Sequence, residues 1–510
     1  YVVSVEGIGC SYPFEIAPDI YRAPSSTVLR AFYHQRCHTA LEAKYTDHPR
    51  AICHTGEQSK FLQTTLRAMD KQYHDGKQND KVETTGEKRT VTFGWHDAGD
   101  WDHEAWHTEA VETLLLAYQV APQKWRDGES RIPESGNGIP DILDEAIWGA
   151  NLYKQLQRPD GGTSAGTFAD WSPRDGETST TDTMTYYVYA PDPQASMRWA
   201  AIGAQLGSLL PRFGKQKLAK EYLKSAVAAY DWANKNMRDG DEAKVRDDRC
   251  QAAAALFQTT GDNKYLQAFK KDFRIKIGDP LMIWEQFDLR WAAWLYAFCD
   301  RPNRDVALQK TIVTLCRNYA DAEYIDTAAK RAFRKGYNWW RGLDWGTGSN
   351  PEGVTLMVAH ALSQEPKYLR ALSNNCDVTL GGNPLNMTWI TGLGARSPRE
   401  ILRIEDWYAP WTKPDAPMNP VAGILIFGPH YFTGDPDPKN PGGVWDIKFS
   451  QATAYPHAAR WPGYELYFEN RFSAVQTEFT VGELATSVAS LGYLRADAPA
   501  AALRSNAMLR

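Results

Sequence analysis

The chain has 510 residues, with 62 acidic against 57 basic side chains and a formal net charge of −5. That balance argues against the electrostatic footprint of a nucleic-acid binder, and no basic run supplies one locally. No stretch approaches the roughly 20 apolar residues of a membrane-spanning helix. The length allows two or three average domains or one large one.

In chain order, residues 1–16 begin with alternating β-branched side chains and read as a strand. A helix follows, capped by Ser25 or Ser26 and running to about residue 44, with Leu29, Phe32, Tyr33, Cys37 and Leu41 on one side. A loop then carries His48, Cys53 and His54. Residues 71–90 are rich in Lys, Asp and Gly and read as a surface insertion. Beyond them the apolar period is helical almost throughout: 109–118, 139–157, 193–210, 217–237, 246–259, 263–274, 284–299, 303–319, 351–362, 367–380 and 478–494. With no fixed-period repeat, an α/α toroid, an irregular bundle and a helical array all stay open. Loops at 161–192, 333–350 and 394–462 are too long for connectors and are expected to build a cleft. Seven cysteines spread over the chain are not a disulfide framework. Cys299 and Cys316 lie in apolar helical runs and read as buried small hydrophobes.

The densest chemistry is in VTFGWHDAGDWDHEAWHTEAVETLLLAY, residues 91–118. Asp97 and Asp100 share one four-residue turn, and Ala98 and Gly99 between them let other groups approach closely. Such a pair can hold and activate a water molecule. It can equally be a helix N-terminus with capping aspartates. The turn alone leaves both readings open.

Four blocks decide between them. GWHDAGD (94–100), SGNGIPDILDEAIWGANLYKQLQRPDGG (135–162), LGGNPLNMTWITGLG (380–394) and YFENRFSAVQTEFTVGELA (467–485) follow one another across nearly the whole chain. Together they resemble the signature of glycoside hydrolase family 9, the inverting β-glycanases that include many cellulases. The resemblance implies an all-α fold, an (α/α)6 barrel of six inner and six outer helices with the active-site loops at one end. It makes residues 18–500 the catalytic domain and 501–510 a tail. Residues 1–17 become the short β remnant of a preceding immunoglobulin-like domain, or a linker. It further implies a β-1,4-linked glucan as poly- or oligosaccharide partner, a monomer, no nucleic-acid or membrane partner, and a secreted or periplasmic location.

Inverting hydrolysis needs a carboxylic acid on the leaving oxygen and a carboxylate that activates water on the other face, ~6.5–9.5 Å away. The resemblance assigns the base to Asp100, with Asp97 helping to hold the water. The acid is expected within YFENRFSAVQTEFTVGELA, where Tyr467, Glu469 and Glu478 fit the family spacing, and Glu478 is assigned. Aromatic surroundings there are expected to keep it protonated. Glu483 is the runner-up, and the bland reading of Glu478 is a carboxylate at a helix start.

Cys37, Cys53, His54 and His96 offer two thiolates and two imidazoles, a donor set for tetrahedral zinc. Some members that share WHDAGD carry such a structural zinc, and the resemblance carries it to these four positions. It would pin His96 and hence the backbone of Asp97. His74 is the alternative fourth ligand. Calcium is also bound in the family; Asp141, Asp144 and Glu145, or the loop 175–182, offer oxygen ligands but none is assigned.

The pattern breaks after Gly394. Where the family carries a sugar-binding His and Arg, this chain has Leu402 and Ile404, neither able to donate a hydrogen bond from its side chain. Arg403, one step off, is the candidate substitute. Trp101, Tyr186 and Trp345 are candidates for stacking on sugar rings, against the alternative of core packing. Glu469, Ala474 and Leu484 also depart from the usual residues. The extra acids after Asp100, Asp102 and Glu104, suit a hydroxyl-rich or an amino sugar. Two further readings therefore stand beside the glucanase: an exo-acting glycosidase on short oligosaccharides such as glucosamine oligomers, and a carbohydrate-binding relative without activity.

Overall fold

The computed structural model describes residues 1–70, 82–101, 104–170, 172–173, 176–337, 346–407, 419–430, 455–456, 460–471 and 473–497. The main helices, in chain order, are α1 (Arg22–Gln35), α2 (Thr108–Val120), α3 (Asp141–Leu156), α4 (Pro193–Leu209), α5 (Gln216–Lys235) and α6 (Asp241–Thr260). They continue with α7 (Asn263–Asp272), α8 (Arg290–Ala297), α9 (Val306–Ala320), α10 (Val354–Ser363), α11 (Pro366–Thr379) and α12 (Val481–Tyr493). Odd-numbered helices form an outer ring and even-numbered ones an inner ring, an (α/α)6 barrel closed by the packing of α12 against α1 and α2.

Burial separates the rings. Outer α5 buries Ala219, Tyr222, Ala226, Ala229 and Ala233, the single stripe of an amphipathic helix. Inner α2 and α4 are buried nearly all round. Small residues set the closest approaches, with Ala200, Ala201 and Gly203 on α4 and Ala252 to Ala255 on α6. A Cβ on Gly203 would come within 3.0 Å of Ala226 Cβ and the Tyr222 carbonyl. Asp192, Asp262, Asp305 and Thr480 cap α4, α7, α9 and α12 with their side chains. Among the described residues no helix is long and apolar enough to cross a membrane.

Strands are few. β1 (Ser4–Val5) and β2 (Gly9–Cys10) make a small hairpin exposed throughout. β3 (Lys60–Arg67), β4 (Thr84–Thr90), β5 (Thr167–Ala169) and β6 (Tyr186–Ala190) form one sheet in the order β4-β3-β6-β5, with β3 and β6 parallel. β7 (Met282–Ile283) and β8 (Phe287–Asp288) form a hairpin before α8.

Three sequence expectations change. The helix expected over 284–299 starts only at Arg290, after the β7–β8 hairpin. α1 starts at Arg22 and stops at Gln35 rather than near residue 44. Arg36 turns extended to bridge Trp95, and the Cys37 amide bonds the Gly94 carbonyl at 2.9 Å. Cys37 thus leaves the helix and joins Cys53, His54 and His96. The polar stretch 71–90 is not wholly an insertion: its second half is β4, paired to β3.

Candidate active site and metal centre

The Asp97–Asp100 turn lies in the loop before α2 and is gripped from the end of α1. Gln35 Nε2 donates to the carbonyls of His96 (3.2 Å) and Ala98 (2.8 Å), on either side of Asp97. The His96 amide returns a bond to the Gln35 carbonyl at 2.7 Å. Three backbone groups around one aspartate are thereby fixed by one residue.

Glu478 reaches the same place from the other end of the chain. It lies before α12, in extended backbone, not inside the helix. Its carbonyl accepts from Phe427 N–H at 2.8 Å, and three residues later the Val481 amide donates to the Asp97 carbonyl at 2.9 Å. The segment around Leu402 joins both: Leu402 N–H bonds the Thr477 carbonyl (3.0 Å) and Ile404 N–H bonds the Gly99 carbonyl (2.9 Å). A Cβ on Gly99 would stand 1.9 Å from the Leu402 carbonyl oxygen, so only glycine admits this contact. Asp97, Asp100 and Glu478 are each half-buried. Glu469 accepts from the amides of Arg399 (2.5 Å) and Glu400 (3.1 Å), anchoring the loop that leads to Leu402.

Beside this junction, a cavity of about 310 Å³ opens at the N-terminal ends of the inner helices. Glu109, Glu352, Glu483 and Trp284, Trp291 and Trp294 line it, with Arg290 held by Asp288 at 2.6 Å. It adjoins a second cavity, of about 190 Å³, bordered by Glu112, Asp247 and Asp248 against Arg198 and Lys244. Burial raises the Glu112 carboxyl to about 8, Arg198 opposing, and Gln251 donates to it at 2.9 Å. Arg198 is taken by Asp248 at 2.8 Å. Glu352 sits in the left-handed region at φ +46, an uncommon conformation for a residue with a Cβ.

Three proposed sugar contacts are corrected by burial. Trp101 is 1 % exposed inside the core and Tyr186 6 %. Neither presents a face to a ligand. Arg403, 4 % exposed, is spent inside the protein: it donates to Gln35 Oε1 (3.0 Å) and the His34 carbonyl (3.1 Å) and pairs with Asp406 (2.5 Å). It braces the residue that grips the Asp97 turn. Leu402 and Ile404 are buried, so apolar packing and backbone bonds occupy the place expected to bind sugar. Trp345, and the alternative ligand His74, lie outside the described residues.

Cys37, Cys53, His54 and His96 converge behind the turn, all buried, their ligand atoms within 4.8 Å of one another. The two sulfurs are 3.7 Å apart; His54 Nδ1 is 3.1 Å from Cys37 Sγ, and His96 Nε2 is 3.7 Å from Cys53 Sγ. Atoms bound to one tetrahedral ion at about 2.0–2.3 Å stand this far apart, so the donor set fits a metal. Burial alone would raise the Cys53 thiol; the Cys37 sulfur and the Arg50 guanidinium outweigh it and hold it well below the usual thiol range. His54 Nε2 meets Tyr186 Oη at 2.8 Å and Asp182 at 3.4 Å, the carboxylate backing that orients a ligating imidazole. Burial would lower His54, but Asp182 and Cys53 lift it to about 9.

Of the candidate calcium ligands, residue 175 lies outside the described residues, and Asp141, Asp144, Glu145 and Asp182 are engaged elsewhere. Asp141 accepts from the amides of Gly128 (2.8 Å) and Ser130 (2.6 Å) and from the Ser135 hydroxyl (3.1 Å). Glu145 pairs with Arg36 at 2.9 Å, Asn137 donates to Asp144 at 3.0 Å, and Asp182 backs His54. Among the described residues no metal-like cluster includes them.

The profile of glycosyl hydrolase family 9 matches residues 21–491. The chain belongs to that family. Endoglucanase D of Acetivibrio thermocellus is 25 % identical over 426 residues, 78 % of this chain and 63 % of its own length. A xyloglucan-specific endo-beta-1,4-glucanase of Bacteroides ovatus is 24 % identical over 475 residues, covering 86 % and 76 %. The chain thus spans less than two thirds of the first of these relatives. Among solved structures, a metagenome-derived family 9 endoglucanase superposes with a TM-score of 0.75 at 25 % identity, over 97 % of this chain and 84 % of its own. A Zn-binding triple mutant of endoglucanase J30 gives 0.76 at 22 % identity, over 96 % and 88 %.

Two residues that the sequence did not single out support this site. Gln35, braced by Arg403, holds the turn, and Arg50 counters the Cys53 thiolate while bonding Ser179 (3.1 Å) and the Arg36 carbonyl (2.6 Å). Gln35 stood at an unremarkable helical position. Only its contacts reveal it.

Proposed function

We propose that the chain is an inverting glycoside hydrolase of β-1,4-linked glucan. Asp100 is the base, Asp97 helps hold the attacking water, and Glu478 is the acid. The observation carrying this reading is the Val481–Asp97 backbone bond, which ties the approach of Glu478 to the aspartate turn from the opposite end of the chain. In this mechanism the Glu478 carboxyl protonates the glycosidic oxygen as the bond to C1 breaks. Asp100 takes a proton from a water that Asp97 orients, and that water adds to C1 from the other face, inverting it. Gln35, Gly99 and the 402–404 segment hold both groups without touching substrate.

The four-ligand centre is read as zinc, on its two thiolates and two imidazoles. A closed shell of four protein ligands supplies structural rigidity, not a nucleophile. The protein is read as exported.

One observation favours a second substrate reading. The cavities beside the junction are lined by more carboxyl groups than cations. Such a lining attracts a protonated amine, as in a glucosamine oligomer cleaved from one end.

Asp100→Asn is expected to abolish turnover while retaining saccharide binding; retained turnover overturns the base assignment. A panel of cellulose, xyloglucan, cello-oligosaccharides and chitosan oligomers, with product lengths and anomeric configuration recorded, decides between the substrates. A β-anomer as first product contradicts inversion.

A further inference from the structure

A second buried group of ligand atoms adjoins the four-ligand centre and shares one residue with it. Cys37 Sγ, a His38 ring nitrogen and a Glu104 carboxylate oxygen lie within 4.8 Å of one another. His38 is 6 % exposed and Glu104 3 %. Both ring nitrogens of His38, and Glu104 Oε1, have no hydrogen-bond partner among the described residues. The approach of His38 Nε2 to Glu104 Oε2, at 3.7 Å, is too long for a hydrogen bond. It suits two ligands of one ion, each about 2.0–2.2 Å from it.

The backbone makes room for this arrangement. Gly94 has φ +113, and a Cβ there would lie 2.9 Å from the Glu104 carboxylate. The glycine therefore admits the acid to the interior. The Gly94 carbonyl in turn receives the Cys37 amide, so the residue that clears space for Glu104 also positions the shared thiolate. His38 is in the left-handed region at φ +55, which turns its ring toward this space while its amide bonds Cys53 Sγ at 3.1 Å. A buried carboxylate beside a thiolate is costly unless a positive charge lies between them. A metal ion between them supplies that charge and gives a His38 ring nitrogen and a Glu104 oxygen a partner.

We propose that Cys37, His38 and Glu104 bind a second divalent ion of the zinc type, bridged to the first through the Cys37 thiolate. This rests on the reading of Cys37 as a ligand of the first ion. One sulfur, one imidazole and one carboxylate leave a coordination position for a small exogenous ligand.

The test is metal counting on the intact chain, purified in the presence of zinc and freed of excess by gel filtration. The expected result is about two zinc ions per chain, with two anomalous peaks about 3.5–4 Å apart flanking Cys37 Sγ. Glu104→Gln and His38→Phe each drop the count to one, while Cys53→Ser depletes the first site. A wild-type count of one that Cys53→Ser abolishes overturns the second site and leaves the first. A count of zero overturns both. A count of two that survives both Glu104→Gln and His38→Phe also overturns the proposal. If neither variant folds by circular dichroism, the wild-type anomalous map decides alone: a single peak refutes the bridge.

Discussion

The Val481 amide donates to the Asp97 carbonyl at 2.9 Å, linking the first turn of the last inner helix to the aspartate turn in the loop that precedes α2. The catalytic proposal depends on this contact being rigid, and Gly99 is where it is most easily tested. Gly99→Ala would drive a methyl group into the Leu402 carbonyl, 1.9 Å away. Overpacking of this kind costs about 1–3 kcal/mol. A displacement of the turn by about 1 Å lowers kcat by roughly 100-fold. Thermal melts and steady-state kinetics on the same sample check both, and near wild-type kcat would show that the turn is not held from this side.

Arg403 touches Gln35, the His34 carbonyl and Asp406. Arg403→Lys loses the fork that holds Gln35, and is expected to lower kcat and Tm with KM nearly unchanged. A sugar contact would raise KM instead.

Stripping the four-ligand centre with a chelator is expected to lower the melting temperature, and zinc rather than calcium should restore it. A ligand that binds only the folded chain at a thousandfold excess over Kd contributes about 4 kcal/mol. Differential scanning calorimetry before and after reconstitution reads the effect; an unchanged melt would exclude a structural ion.

Glu112, raised by burial to about 8, stays protonated in the folded chain at pH values where the unfolded chain has lost that proton. Its folded pKa lies above the unfolded one. The stability it contributes is therefore full below about pH 4.5 and falls as pH rises toward 8. Burial likewise raises Asp144 to about 8 and Asp192 to about 7, with the same sign. The melting temperature should decline between pH 5 and 9. Glu112→Gln should flatten that decline, gaining roughly 1–3 kcal/mol over wild type at pH 8–9 and nothing near pH 4. A variant that melts in parallel with wild type across the range would show Glu112 ionised throughout.

The helices were legible from their apolar period, but the barrel they form was not; it came only with the resemblance carried by the four sequence blocks. The aspartate turn was ambiguous by itself, and the four thiol and imidazole positions were likewise carried by the resemblance; the structure brings those four together. What stayed hidden depends on distance across the fold. The end of α1 was misplaced because Cys37 continues the apolar stripe, although its sulfur belongs to the metal centre. Arg403, Trp101 and Tyr186 carry groups that suit a sugar; only their burial reveals that they support the site from behind. Gln35 has no local signal, because backbone carbonyls more than sixty residues away give it its role.

The barrel closes by setting α12 against α1 and α2. The proposed acid stands just before α12 and the aspartates in the loop that precedes α2. A growing polypeptide therefore has no complete reaction centre until Glu478 has been synthesised as well as the aspartate turn. Partial chains emerging from the ribosome would be inert toward polysaccharide, and turnover would report that the two ends had met.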